Sequence, residues 1–249
     1  MTPLIDLAEL GSVGGFFALR AGAGPGSVPF ADVYVPPAPP SAPPPATADP
    51  LGLRVGKVER GIGAPEARVA ASVAQLGLAA RLWSVALGSA ALYGAVPDLG
   101  PALLRWNPDG TSPDDLWLTD VRPLPGDAET VRRVVCDGHL VPLAAALRAR
   151  HRISAGLLWG NAGSALAGAA RELHAWSVRA GREDVGERGL ALAAALFGHP
   201  DLRGTGALDG TAFRRRSCCL YYRCPGGGVC GDCCFERPPS RSSHRASSG

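Results

Sequence analysis

Aromatic side chains make up only 6% of the 249 residues, and Lys57 is the single lysine in a pool of 25 basic residues. A core short of aromatics has to be filled by Ala, Leu, Val and Gly, which suits closely packed helices. The excess of arginine over lysine reflects a codon-biased genome more readily than a function. No Gly-x-Gly-x-x-Gly segment opens a helix after a strand and no phosphate loop is present. The chain is therefore not expected to hold a nicotinamide or flavin of its own through a Rossmann fold. The N-terminus, MTPLIDLAELGSVGGFFALR, has no basic n-region and carries Asp6 and Glu9, unlike a secretory signal. The most apolar window, Val69 to Val96, is broken by Gln75 and Arg81. Its uncharged remainder falls short of the roughly 20 residues that cross a bilayer. These absences predict a soluble, cytoplasmic protein with no transmembrane segment. In that reducing compartment clustered cysteines more often bind metal or do redox chemistry than form disulfides.

A hydrophobic content of 46% supports one sizeable core with a small appended module. The expected class is α+β and helix-rich: a main helical domain with a small hairpin, then a loop-dominated C-terminal module. Residues 1–35 read as a short helix followed by an extended stretch from Val28 to Val35. Residues 36–50, PPAPPSAPPPATADP, hold eight prolines in fifteen positions and form a linker or exposed loop. The main domain spans 51–212. Within it Val69, Val73, Leu76, Ala80, Trp83, Leu87 and Ala90 recur at steps of three and four, which predicts an amphipathic helix from Glu66 to Tyr93. Segment 101–118 reads as a hairpin, with Asn107-Pro108-Asp109-Gly110 as its turn. Helices are further expected over 140–150, over Ile153–Ala180 with a Ser154 cap, and over Val185–Phe197. A Gly-rich connector, Gly198–Gly210, leads to a cysteine module at 213–237, and residues 238–249 form a disordered Ser/Arg tail.

Six of the seven cysteines fall between Cys218 and Cys234, in RRRSCCLYYRCPGGGVCGDCCF. Two adjacent thiols, ten residues, then Cys-x-x-Cys offer four ligands: Cys218, Cys219, Cys230 and Cys233. Four thiolates suit an iron–sulfur cluster. They also suit structural zinc, although an adjacent Cys-Cys pair makes a poor zinc knuckle. In an extended strand neighbouring side chains point to opposite faces, so the pair needs a bent backbone, which Pro225 to Gly228 and Gly231 permit. Cys224 and Cys234 are left over from the pattern. From Phe213 onward seven arginines face Asp232 and Glu236, a local balance of +5 within a net charge of +3. Arg214, Arg215, Arg216 and Arg223 would offset the negative charge of a thiolate-bound cluster and raise its potential. The pair Cys136 and His139 is too small a donor set for a second metal site. Trp159, Gly160 and Asn161 interrupt a small-residue helix, and either substrate contact or a satisfied buried amide explains them.

The cysteine segment resembles the C-terminal [2Fe–2S] domain of the FhuF-like ferric-siderophore reductases, with its Cys-Cys-x10-Cys-x2-Cys pattern. LAARLWSVALGSAALYG, HLVPLAAALR and RISAGLLWGNAGSALAG extend the resemblance from about residue 60 to 235. It implies a [2Fe–2S] cofactor and an enzyme that passes single electrons to a ferric siderophore, with the main domain as docking surface. An external donor, such as a ferredoxin or flavin reductase, is then required, and no nucleic-acid partner is expected. Two other classes fit less of the sequence: an iron–sulfur sensor or accessory protein of iron homeostasis, and a zinc-stabilised interaction module.

Overall fold

The computed structural model describes residues 4–35 and 49–239. The proline run therefore lies almost wholly outside the described residues, as does the tail from residue 240. Its last two positions are an exception. Asp49 caps the next helix by accepting the Gly52 N–H, and Pro50 supplies the first helical residue, where a missing N–H costs nothing.

The α-helices of the described residues are α1, Leu7–Ser12, α2, Phe30–Val33, α3, Pro50–Ile62, α4, Ala67–Tyr93, α5, Ala128–Arg132, α6, Val141–Arg150, α7, Ala155–Ala180, and α8, Glu183–Phe197; at the centre α4 packs most extensively against α7. Helix α3, Pro50–Ile62, lies on one side of α4, and α8, Glu183–Phe197, packs against both α7 and α4. The amphipathic reading of α4 needs correction. The helix is buried almost all the way round, and Val73, Leu76 and Ala80 of the expected inner stripe are among its less buried positions. Beside that stripe Ser72 and Gln75 are buried too: Ser72 donates to the Cys219 carbonyl and Gln75 to the Leu158 carbonyl at 3.3 Å. Among the described residues α4 alone is long and apolar enough to cross a membrane, and 78% of that window is buried inside the protein. Leu82, Trp83 and Leu87 are at most 1% exposed. Each such side chain contributes about 1.5–3 kcal/mol on burial.

Two short antiparallel strands, Leu104–Trp106 and Leu116–Leu118, form the expected hairpin, with Leu104 opposite Leu118. The Asn107 carboxamide accepts the N–H groups of Asp109 and Gly110, which fixes the turn. Under this hairpin Arg81 pairs with Asp115 at 3.0 Å, both nearly inaccessible to solvent. The Arg81 guanidinium also donates to the carbonyls of Gly15, Phe16 and Ala18, so α4, the hairpin and the N-terminal turn are tied by one side chain.

Three sequence expectations are revised. After Val28–Pro29 the chain does not stay extended but turns into a short helix, Phe30–Val33, which buries Phe30 and Val33 completely. The helix expected over 140–150 is the last part of a longer run that begins at Ala128, capped by Asp127, and passes through a π-helical stretch, Arg133–Leu140. The glycine-rich connector ends in a strand, Gly206–Asp209, paired with Ala212–Arg215. This hairpin delivers the chain to the cysteines. The π-helical stretch holds Cys136 and His139, both fully buried. The Leu99 carbonyl, 2.6 Å from His139 Nε2, can only accept, so Nε2 carries the proton and Nδ1 accepts from the Tyr34 hydroxyl at 2.6 Å. With both ring nitrogens engaged, His139 is a core residue.

Candidate metal centre

The cysteine segment starts from the edge of the 206–215 hairpin, where Phe213 stacks on Phe197 of α8 with ring centroids 5.2 Å apart. Beyond Arg215 the chain lays Ser217 directly on α7. A Cβ at Gly160 would come within 2.0 Å of Ser217 Oγ, and one at Gly163 within 2.5 Å of Thr205 Oγ1. The glycines in LLWGNAGSALAGAA thus leave room for this module.

Cys218 and Cys219 converge because the backbone reverses at Leu220, a non-glycine residue at φ 69°. The Leu220 N–H then returns to Cys218 Sγ at 3.2 Å. The Gly-rich turn was expected to supply this bend. It makes the later one instead: with Gly226 at φ 68°, the Gly227 N–H reaches the Cys224 carbonyl at 2.9 Å. A third turn closes the Cys-x-x-Cys segment, Cys233 N–H to Cys230 carbonyl at 3.0 Å. The outcome is a sulfur pair, Cys219 Sγ and Cys230 Sγ, 3.6 Å apart, with Cys218 and Cys233 flanking it, half-exposed. None of the seven cysteines, all among the described residues, forms a disulfide. Hydrogen bonds from the Cys218 and Cys230 thiols, the Tyr221 N–H and the Arg215 charge hold Cys219 well below the usual thiol range against the opposing effect of burial. Cys218 and Cys230 are pushed up by that same sharing with Cys219, and then by desolvation. This sharing favours thiolate at Cys219, the form a metal takes. Burial raises Cys224 and Cys234.

A buried polar chain ties this loop to the helices. Ser72 of α4 donates to the Cys219 carbonyl at 2.8 Å. Asn161 of α7 donates to the Ser72 carbonyl at 2.9 Å and to its hydroxyl at 3.1 Å, and its Oδ1 accepts from Arg215 Nη2 at 2.5 Å. Asp232, between Cys230 and Cys233, accepts from Ser164 of α7 at 2.5 Å and lies 3.5 Å from Arg171, while its carbonyl accepts the Arg215 N–H at 3.0 Å. Asn161 is thus a satisfied buried amide. Nothing in the sequence marked Ser72 or Ser164, which sit 147 and 68 residues from the groups they bond.

The four arginines divide. Arg214 and Arg216 are exposed, and Arg223 is bound to Glu66. Arg215 is 2% exposed, and its Nε and Nη1 have no partner within the protein; Ser217 Oγ is a third orphaned buried donor. Among the described residues no three His, Cys, Asp or Glu side chains close on one point as a single ion demands. An anionic cofactor that takes thiolates and accepts N–H and O–H groups on its sulfurs fits these residues.

Residues 215–235 match the family described as the FhuF 2Fe-2S C-terminal domain. No curated protein matches the chain. The matched segment begins at the buried arginine, takes in all of the clustered cysteines, and identifies the cofactor as a [2Fe–2S] cluster.

Proposed function

We propose that this chain is a ferric-siderophore reductase of the cytoplasm, which takes electrons singly from a ferredoxin or flavin reductase and delivers them to a ferric siderophore. The observation that carries this reading is the match of residues 215–235 to the FhuF 2Fe-2S C-terminal domain. When bound, the cluster supplies reversible one-electron chemistry.

Cys218, Cys219, Cys230 and Cys233 are its proposed ligands, and Cys224 and Cys234 are spare. Within the module Tyr221, Val229 and Phe235 are each 37–41% exposed. Arg214, Arg216 and Arg237 of the same segment are exposed as well. Exposed apolar and cationic side chains in one segment suit the docking of an acidic redox protein or an anionic chelate. In the reaction Fe(III) gains one electron and no bond of the chelator breaks. The oxygen donors typical of siderophores hold the softer, more labile Fe(II) far less strongly, so the metal leaves and the chelator survives.

The test begins with protein purified without oxygen, in which about two irons and two acid-labile sulfides per chain are expected. Reduced by dithionite and freed of excess, it is then mixed with ferric hydroxamate, catecholate and carboxylate siderophores in the presence of an Fe(II) trap. Reoxidation with one trapped Fe(II) per stored electron, slowing steeply with added salt, is the expected result. Reoxidation by none of the chelates would leave a cluster-bearing sensor or accessory protein.

A further inference from the structure

A guanidinium at 2% exposure needs a compensating anion, because an isolated buried charge is costly. Among the described residues no carboxylate lies within ion-pair distance of Arg215; the neighbouring Asp232 is engaged by Ser164 and Arg171. Only Nη2 is held, by Asn161 Oδ1 at 2.5 Å and the Leu157 carbonyl at 3.5 Å. Nε and Nη1 remain buried donors without acceptors. The Arg215 N–H bonds the Asp232 carbonyl between Cys230 and Cys233, so the side chain starts against the Cys-x-x-Cys turn. Two residues later Ser217 leads into Cys218.

We propose that Arg215 is a positioning residue for the cofactor: its Nε–H and Nη1–H donate to the cluster's sulfur atoms, and Asn161, braced by Ser72, locks the guanidinium in that orientation. The role rests on the cofactor and is independent of which chelate is reduced. A fixed positive charge and two N–H donors stabilise the reduced cluster, which carries one more negative charge, beyond the oxidised one, so Arg215 raises the reduction potential. Arg214 and Arg216, in solvent, are screened, and Arg223 is neutralised by Glu66.

The experiment is a redox titration followed by visible and paramagnetic resonance spectra, with no chelate present, on wild type, Arg215→Gln, Arg214→Gln and Arg216→Gln. At the wild-type midpoint Arg215→Gln should favour the oxidised form about tenfold or more, a downward shift of about 59 mV per tenfold for one electron. The two exposed variants should move the ratio less than about twofold. An Arg215→Gln midpoint equal to that of Arg216→Gln would overturn the proposal. A second readout needs no substitution: in wild type labelled with guanidino-15N arginine, the reduced cluster should show a weak nitrogen coupling that persists in Arg214→Gln and Arg216→Gln. Absence of that coupling would overturn the proposal even if Arg215→Gln failed to load its cluster. Iron and sulfide content, measured first, separates two failures. A colourless wild type would refute the cofactor together with this role, whereas a loaded wild type without coupling or shift would refute the role alone.

Discussion

Replacing Asn161 by Leu, which keeps a similar volume, should destabilise the protein by about 3 kcal/mol. Asn161 is fully buried and links α4, α7 and the cysteine module through three hydrogen bonds. The bond it accepts from Arg215 has a charged donor, a class worth about 1.5–3 kcal/mol. Its loss leaves Arg215 Nη2 with only the long contact to the Leu157 carbonyl, at 3.5 Å, and the Ser72 carbonyl without its side-chain donor. The ceiling is about 3–5 kcal/mol, the cost of breaking a buried ion pair from one side. For a chain of this length each kcal/mol moves the melting temperature about 2–4 °C, so a drop of about 6–12 °C is expected. The assay is urea unfolding of the cluster-free protein, followed by tryptophan fluorescence and far-UV circular dichroism, which keeps cofactor loss out of the comparison. Arg215→Met and the double variant complete a cycle. Because the second substitution removes the charge that the first strands, the double variant should be more stable than the sum of the single costs implies, by about 1–3 kcal/mol. A single-variant loss under about 1 kcal/mol, or costs that add to within about 0.5 kcal/mol, would refute the network reading.

Serine substitutions at Cys218, Cys219, Cys230 and Cys233 should each cut bound iron by more than about half, while Cys136→Ser should leave iron content unchanged. Cys136 is fully buried and its thiol is pushed up to about 12, chiefly by desolvation, so it should react with iodoacetamide only on unfolding. His139, held down to about 4 by burial, is neutral in the folded state, whereas the unfolded chain takes up a proton near pH 6.5. Its contribution is therefore complete above pH 6.5 and is lost as pH falls toward 4, by about 3 kcal/mol in all. Denaturant unfolding of wild type against His139→Gln between pH 7.5 and 4 checks this, and parallel profiles would refute it. Arg81→Met strands Asp115 in the core and should cost about 3–5 kcal/mol in the same assay.

The helices from Ile153 to Phe197 and the 104–118 hairpin were legible because local signals agree with their tertiary setting: a Ser154 cap, helical periodicity and an Asn-Pro-Asp-Gly turn. Helix α4 was found, but its buried surface is wider than the expected stripe. Val69, Trp83, Leu87 and Ala90 of that stripe are fully buried, yet Ser72 and Gln75 are buried nearly as deeply because α7 packs along that side. The helical turn at Phe30–Val33 follows a proline whose fixed φ reads equally well as extension. In the module the cysteine spacing announced the chemistry, and the excess of arginine announced the charge. Nothing local separates Arg215 from Arg214 and Arg216. The alternation of the 212–215 strand does so, burying Phe213 and Arg215 and exposing Ala212 and Arg214.

That alternation also bears on why the module can fold. About twenty residues cannot bury a core of their own, and segments of this size depend on metals or on a neighbour. Both dependencies meet here at the same atoms. Asn161 and Ser72 reach the loop through Arg215 and the Cys219 carbonyl, and Ser164 reaches it through Asp232 in the Cys-x-x-Cys turn. Removal of the cluster should therefore loosen residues 216–235 without melting α4, α7 and α8, whose shared core lies elsewhere. Limited proteolysis of the cluster-free protein should cut first within 216–235 and leave a helical remnant with near-native circular dichroism. By linkage, weakening the helix side should show as faster cluster loss, because whatever binds the docked form stabilises it and is in turn held more tightly by it. Asn161→Leu should thus shorten the lifetime of the visible bands under chelator challenge, although Asn161 supplies no ligand. An unchanged lifetime alongside a lowered unfolding energy would mean that the loop holds its cofactor independently of α7, and that the two dependencies are separate.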